Sequence, residues 1–269
     1  MEFRSYLFVP ADRIDRIGKA LRSGADAVIV DLEDAVAPSA KPAARAALAD
    51  WLASAGSAPV LVRVNAPQTP WFDDDLRLCA LPSVRGIVLP KAEQAQQLAR
   101  IAAAAPGKAL LPLIETAAGI DALRAIAACP GVQRLVFGSI DFQLDLGIEG
   151  DDDALLFFRS QLVLASRLAG LQAPVDGVTT AIGDEAVLTA DALRARRLGF
   201  GAKLCIHPAQ VAAVNQAFTP AAAEVDWARR VLAAAQASGG AAVAVDGKMV
   251  DMPVLLRART LLQRAGMVA

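Results

Sequence analysis

KALLPLIETAAGI, residues 108–120, decides how the rest of the chain is read. Its leucines and isoleucine form a run with the length and apolarity of a strand buried on both faces. The run then ends on a carboxylate, Glu115. Working outward, seven more short apolar runs have strand character: SYLFVP, DAVIVDLED, PVLVRVNA, RGIVLPKA, RLVFGSIDF, APVDGV and GAKLCIHP. Between them lie segments rich in strong helix formers, such as RIDRIGKALRSG, KPAARAALADWLASAG, EQAQQLARIAAAA and DEAVLTADALRARRLG, several ending in the Gly that a helix C-terminus favours. The connection after the third strand is the least regular. Eight strands alternating with helices over about 210 residues predict a (β/α)8 barrel. A doubly wound open sheet is the alternative, weakened because no G-x-G-x-x-G follows any strand.

Strand phase supports closure. In a barrel, alternate residues face the lumen and the helices. Ile29, Asp31 and Glu33 share one phase of the second strand; Leu61, Arg63 and Asn65 share one of the third. Leu111, Leu113 and Glu115 are in phase in the fifth, and Leu135, Phe137, Ser139 and Asp141 in the sixth. A lumen phase that begins apolar and finishes charged predicts a filled core with a polar C-terminal mouth, where barrel enzymes keep their sites.

The totals bound the function. With 55% hydrophobic and 20% charged residues among 269, the chain can bury a large core. A net charge of −1 argues against a nucleic-acid or anionic-membrane partner. Cys79, Cys129 and Cys205 are scattered and odd in number, which fits buried thiols in a reducing compartment. The N-terminal residues do not read as a signal peptide, and no apolar run is long enough to span a bilayer, so a cytoplasmic location is expected. Residues 1–238 are assigned to the barrel. Residues 239–269 form an extension, expected after a break at Gly239–Gly240, with a strand-like piece, a turn at Asp246–Gly247 and a last helix opened by Pro253.

Glu115 and Asp141, one β/α unit apart, are the candidate metal ligands. Two carboxylates that leave other positions to water and substrate suit Mg²⁺, whereas a single His207 cannot build a zinc set. Each acid alone also reads as a helix cap. Arg63 is the inward cation, able to hold a carboxylate or carbonyl through parallel hydrogen bonds, or to pair with Glu33 or Asp34. Lys91 and Lys203 are inward by phase and open a metal-free Schiff-base route; Lys203 reads better as a lumen partner for Asp31. His207 orients ligand or fixes its own turn. Arg13, Arg16 and Lys19 make one basic face, either solvated or phosphate-binding.

With these segments in place, the sequence resembles the HpcH/HpaI aldolase–citrate lyase superfamily, on its citrate lyase β-subunit-like side. The segments that carry the resemblance are RSYLFVPADR, AVIVDLEDAV, VLVRVN, GIVLPKAE, LIETAAGI, VFGSIDFQLDLG, DGV, GFGAKLCIHPAQV and DGKMVDMP, in order over nearly the whole chain. The resemblance implies a (β/α)8 barrel, Mg²⁺, and reversible carbon–carbon cleavage of a 3-hydroxyacyl thioester of coenzyme A, such as citramalyl- or malyl-CoA, to acetyl-CoA and a 2-oxo acid. By position it implies Glu115 and Asp141 as metal ligands and Arg63 as the residue that polarises substrate. Glu33 and Asp34 would be acids holding water around the metal, and Arg13, Arg16 and Lys19 would contact the coenzyme. Asp251 would be an acid/base reaching a neighbouring subunit's mouth in a homotrimer or dimer of trimers; without the resemblance, Asp251 reads as an N-cap before Pro253. Ala118 stands where many relatives carry a larger residue, a departure that bears on substrate shape. The alternatives are a citrate lyase β subunit acting on a citryl thioester of an acyl carrier protein, a lysine aldolase, and a non-catalytic coenzyme A-binding barrel.

Overall fold

The computed structural model describes residues 3–54, 60–237 and 243–267. Eight parallel strands close into a barrel in sequence order: β1 (Ser5–Pro10), β2 (Ala27–Asp31), β3 (Val60–Arg63), β4 (Val84–Leu89), β5 (Ala109–Ile114), β6 (Val136–Phe137), β7 (Val175–Asp176) and β8 (Ala202–Cys205). The last strand pairs with the first, Ser5 opposite Lys203, so no sheet edge remains. Closure excludes the open doubly wound sheet.

The helices between the strands are α1 (Ile14–Leu21), α2 (Lys41–Ser54), α3 (Phe72–Cys79), α4 (Ala95–Ala104), α5 (Ala117–Asp121), α6 (Leu123–Ala127), α7 (Ser139–Leu146), α8 (Asp152–Leu168) and α9 (Glu185–Leu198). Their ends follow local chemistry. The Asp184 side chain accepts from Val187 N–H to open α9, and Gly199, with φ 103°, closes it in the left-handed conformation that a side chain would disfavour. Inside the barrel, Tyr6, Ile29, Leu61, Val88, Leu111, Leu113, Val136, Val175, Ala202 and Leu204 form one buried cluster. These are the alternate residues of each strand, so the apolar half of the predicted lumen phase is filled by packing, as the architecture requires.

Two phases differ from expectation. The lumen takes Val136 of β6 rather than Leu135 and Phe137, because the strand is only two residues long and the chain turns into α7 at Ser139. On β8, Ala202 and Leu204 face the lumen, so Lys203 points outward. Its ammonium donates to Gly177 O at 2.7 Å and lies 3.5 Å from Asp176, which Arg159 also grips at 2.8 Å. Asp176, not Asp31, is the partner of Lys203.

The described chain divides at Asn215, ahead of the boundary expected at residue 238. After α10 (Val211–Phe218), helix α11 (Ala222–Ala237) belongs with the extension, whose elements are β9 (Val243–Val245), β10 (Lys248–Val250) and α12 (Met252–Arg264). The reason is its apolar face: Val225, Ala228 and Val231 bury themselves against Val250, Ala258, Leu261 and Leu262. Asp246 (φ 51°) and Gly247 (φ 73°) make the expected turn of the β9–β10 hairpin. The break expected at Gly239–Gly240 lies outside the described residues. Among the described residues, no helix is long and apolar enough to cross a membrane.

Candidate active site

The C-terminal ends of the strands surround a cavity of about 420 Å³. Its polar wall holds Asp31, Asp34, Arg63, Glu115, Ser139, Asp141 and Thr180, and its apolar wall includes Phe8, Leu113, Leu204 and Ile206. Four of the candidate residues, Asp34, Arg63, Glu115 and Asp141, therefore meet in one place. Arg63 ends β3, Glu115 follows β5 directly, and Asp34 lies in the loop after β2. Glu33 is buried just beyond, 3.0 Å from Arg63.

Asp141 reaches the cavity by a different route from the one expected. It does not end a strand; it sits in the first turn of α7, three residues after Gly138. It does not cap the helix, whose N-cap is Gly138, although an acid in a first helical turn is favoured by the helix dipole. Gly138 is what lets α7 start against the neighbouring strand. A Cβ there would stand 2.5 Å from Glu115 Cβ and 2.6 Å from its Oε2, distances real side chains do not tolerate.

Glu115 is 2% exposed. Its Oε1 accepts the Lys91 backbone N–H at 2.8 Å. Burial, reinforced by the negative charges of Glu33 and Asp141 and offset by that N–H and by Arg63, pushes its pKa up to about 8. Glu33 is also raised, first by burial and then by Asp34, with Arg63 and Lys91 opposing. Burial first, and neighbouring acids second, thus disfavour the charged form of both carboxylates, a penalty that a bound cation would offset.

Arg63 lies over Phe8, its Cζ 4.8 Å from the ring centre, and pairs with Asp31 through Nε and Nη2, both at 2.7 Å. Its Nη1 meets Glu33 at 3.0 Å and Asp34 at 3.3 Å. Burial opposes its charge, but Asp31, Glu33 and Asp34 more than compensate and raise its pKa. Asp31 is the site residue that sequence reasoning misassigned. Its lumen phase was legible, but its partner is Arg63, directly opposite in register on β3.

The residues present fit a divalent ion. Glu115 and Asp141 both line the cavity, and Glu115 Oε2 is not taken by the Lys91 amide, which bonds Oε1. No group of three or more His, Cys, Asp or Glu side chains forms a metal cluster among the described residues. Two carboxylates with the remaining positions left to water and ligand suit Mg²⁺ rather than a closed structural site.

The remaining candidates separate. Lys91 ammonium lies 3.2 Å from Glu33 Oε1. Burial disfavours its charge, yet Glu33 and the other acids raise its pKa overall, the reverse of what a Schiff-base amine needs. Lys203 is outside the lumen altogether. His207 Nδ1 accepts Ala209 N–H at 3.2 Å, opening the short turn Pro208–Gln210, so it fixes its own turn. Ala118 is exposed in α5 and is not part of the cavity wall. Arg13, Arg16 and Lys19 are exposed; Arg13 precedes α1 and pairs with Asp15 at 3.2 Å, while Lys19 lies in the helix's last turn. Asp251 is exposed and N-caps α12, accepting Val254 N–H at 3.1 Å. Cys79 and Cys205 are buried and free, and Cys129 is free and partly buried.

A closed β/α barrel with acids and a clamped guanidinium at its C-terminal mouth is the frame of a barrel enzyme. Residues 4–208 match the model of the HpcH/HpaI aldolase/citrate lyase family, and the chain belongs to that family. A citrate lyase subunit beta-like protein of Deinococcus radiodurans is 42% identical over 96% of both chains. A (3S)-malyl-CoA thioesterase of Cereibacter sphaeroides is 37% identical over 99% of this chain and 96% of its own. The crystal structure of CitE from Mycobacterium tuberculosis, in complex with magnesium, acetoacetate and coenzyme A, superposes with a TM-score of 0.85 at 37% identity, covering 98% of each chain.

Proposed function

We propose that the protein is a Mg²⁺-dependent lyase that reversibly cleaves a 3-hydroxyacyl-CoA thioester of the citramalyl or malyl type into acetyl-CoA and a 2-oxo acid. The observation that carries this reading is the meeting of Glu115, Asp141 and Arg63 on one wall of the barrel mouth. Magnesium held by Glu115 and Asp141 would supply Lewis-acid polarisation of the substrate's oxygens. Arg63, fixed by Asp31, would stabilise charge that develops on the oxygen as the carbon–carbon bond breaks. Glu33 and Asp34 would hold ordered water beside it. Asp251, supplied by a neighbouring subunit of a trimer, would protonate the thioester enolate carbon in cleavage and deprotonate the acetyl methyl in the reverse direction. The exposed Arg13, Arg16 and Lys19 would meet the coenzyme's phosphates.

The apolar lining supports the choice of substrate. The cavity wall carries four carboxylates, Asp31, Asp34, Glu115 and Asp141, against one guanidinium, Arg63. A divalent ion would offset part of that negative charge for any substrate carboxylate, and the choice between substituents rests on Phe8, Leu204 and Ile206, which suit a methyl or hydrogen.

The test is incubation with Mg²⁺ and malyl-, methylmalyl-, citramalyl- and citryl-thioesters, with products identified by mass. Acetyl-CoA plus pyruvate or glyoxylate is expected. Free coenzyme A plus an intact hydroxy acid would make it a thioesterase; turnover of the citryl thioester alone would make it a citrate lyase β subunit; binding without turnover of any substrate would make it a non-catalytic barrel.

A further inference from the structure

Two described non-glycine residues have positive φ, Asp246 and Lys91. For Asp246 the hairpin turn explains it. Lys91, with φ 45°, has no such excuse: it follows Pro90 at the end of β4, and a left-handed conformation costs an ordinary side chain roughly 1–2 kcal/mol. Such strain persists only where surrounding contacts enforce it.

Those contacts converge on the acids of the mouth. The Lys91 N–H donates to Glu115 Oε1 at 2.8 Å, across 24 residues of chain. The next amide, Ala92 N–H, bonds Leu113 O at 3.2 Å and ties the turn to β5 just before the glutamate. The Lys91 ammonium donates to Glu33 Oε1 at 3.2 Å, leaving Glu33 Oε2 against Arg63. On the other side of Glu115, the missing side chain of Gly138 gives Oε2 its room. One carboxylate oxygen is thus occupied by a backbone donor and the other is left toward α7, the helix that carries Asp141.

We propose that Lys91 is a positioning residue for the cation site: its left-handed backbone aims the amide at Glu115 Oε1, reserving Oε2 for the ion, and its ammonium holds Glu33 beside Arg63. This rests on Glu115 being a metal ligand. The conformation, more than the ammonium, sets the carboxylate. Glycine at 91 adopts positive φ freely and keeps the N–H; proline forbids the conformation and lacks the donor.

Calorimetric titration of Mn²⁺ into the full-length wild type, Lys91→Met, Lys91→Gly and Lys91→Pro reads this directly, without turnover. Lys91→Gly is expected to bind within about threefold of Lys91→Met, both lacking only the ammonium. Lys91→Pro is expected to weaken binding about tenfold or more, the scale seen when a ligand's supporting hydrogen bond is removed. Should Lys91→Pro fail to fold, Lys91→Val serves, because it keeps the N–H but its β-branch disfavours positive φ; it should bind several-fold more weakly than Lys91→Gly. Equal affinity of Lys91→Gly with the proline or valine variant overturns the positioning role while leaving the metal site standing. A wild type that binds no Mn²⁺ overturns both.

Discussion

Asp31 and Arg63 stand opposite each other in register on β2 and β3 and are joined by two hydrogen bonds of 2.7 Å. The pair is buried at the top of the lumen, and Nη1 meets Glu33 at 3.0 Å and Asp34 at 3.3 Å, so the guanidinium that lines the cavity is held on every nitrogen. An Arg held this way cannot reorient when a substrate oxygen gains charge, which is the condition for preorganised electrostatic stabilisation.

Lysine cannot reproduce that fork. Arg63→Lys should fold, because a cation remains among Asp31, Glu33 and Asp34, yet lose about 10²–10³ in kcat, the usual scale for removing one preorganised donor. Steady-state kinetics with the thioester that turns over will check it; an unchanged kcat would confine Arg63 to a structural role.

Asp31→Ala leaves the buried guanidinium without its bidentate partner. Breaking a buried pair from one side costs about 3–5 kcal/mol, so its unfolding midpoint in urea should fall well below that of wild type.

Stability without metal should depend on pH in an unusual direction. Glu115 has a folded pKa of about 8, above its value near 4.3 in the unfolded chain. A carboxyl with a raised folded pKa binds its proton more tightly when folded, so it costs nothing below the unfolded pKa. It becomes progressively destabilising as pH rises from about 4.3 toward 8, and levels off above that. Glu33, raised by the same burial, adds in the same sense. Chemical denaturation in chelator should show wild type losing stability across that window. Glu115→Gln should lose markedly less, and Mg²⁺ should restore the wild type.

Much of this was legible in advance. Eight apolar runs, their alternation with helix formers and the apolar-to-charged lumen phase of β2, β3 and β5 are enough for the barrel, because side-chain period and strand burial are local properties. Glu115 and Arg63 followed from phase alone. Asp141 reaches the mouth by a route the sequence did not show: FGSIDF reads as strand alternation, but the chain turns into α7 at Ser139, and both residues line the cavity from that first turn. Lys203 was misplaced because a two-residue β7 and a short β8 give too little alternation to fix phase. The strain at Lys91 has no sequence signature, since nothing in L-P-K-A announces a positive φ.

Gly138→Ala should fold but displace Glu115, since the new methyl would stand 2.6 Å from Oε2. Its Mg²⁺ affinity should fall about tenfold or more, and because Glu115 Cβ, 2.5 Å away, cannot swing aside, the metal-free barrel should also melt at a lower temperature. Retention of full affinity would mean that Oε2 is not a ligand.

Asp251→Asn keeps the side-chain oxygen that caps α12, so the extension should stay folded, whereas Asp251→Ala should cost about 1 kcal/mol there. The Asn variant should still bind the thioester by calorimetry and lose at least 10² in turnover, the contribution typical of a general acid/base. Unchanged turnover would remove Asp251 from the chemistry.

The central claim is that acids from β5 and α7 share one divalent ion. Crystals soaked in Mn²⁺ and measured at its absorption edge test it most directly. The account predicts a single strong anomalous peak at the barrel mouth, within about 2.0–2.3 Å of an oxygen from both Glu115 and Asp141. An empty mouth, or a peak bound by neither carboxylate, would contradict it.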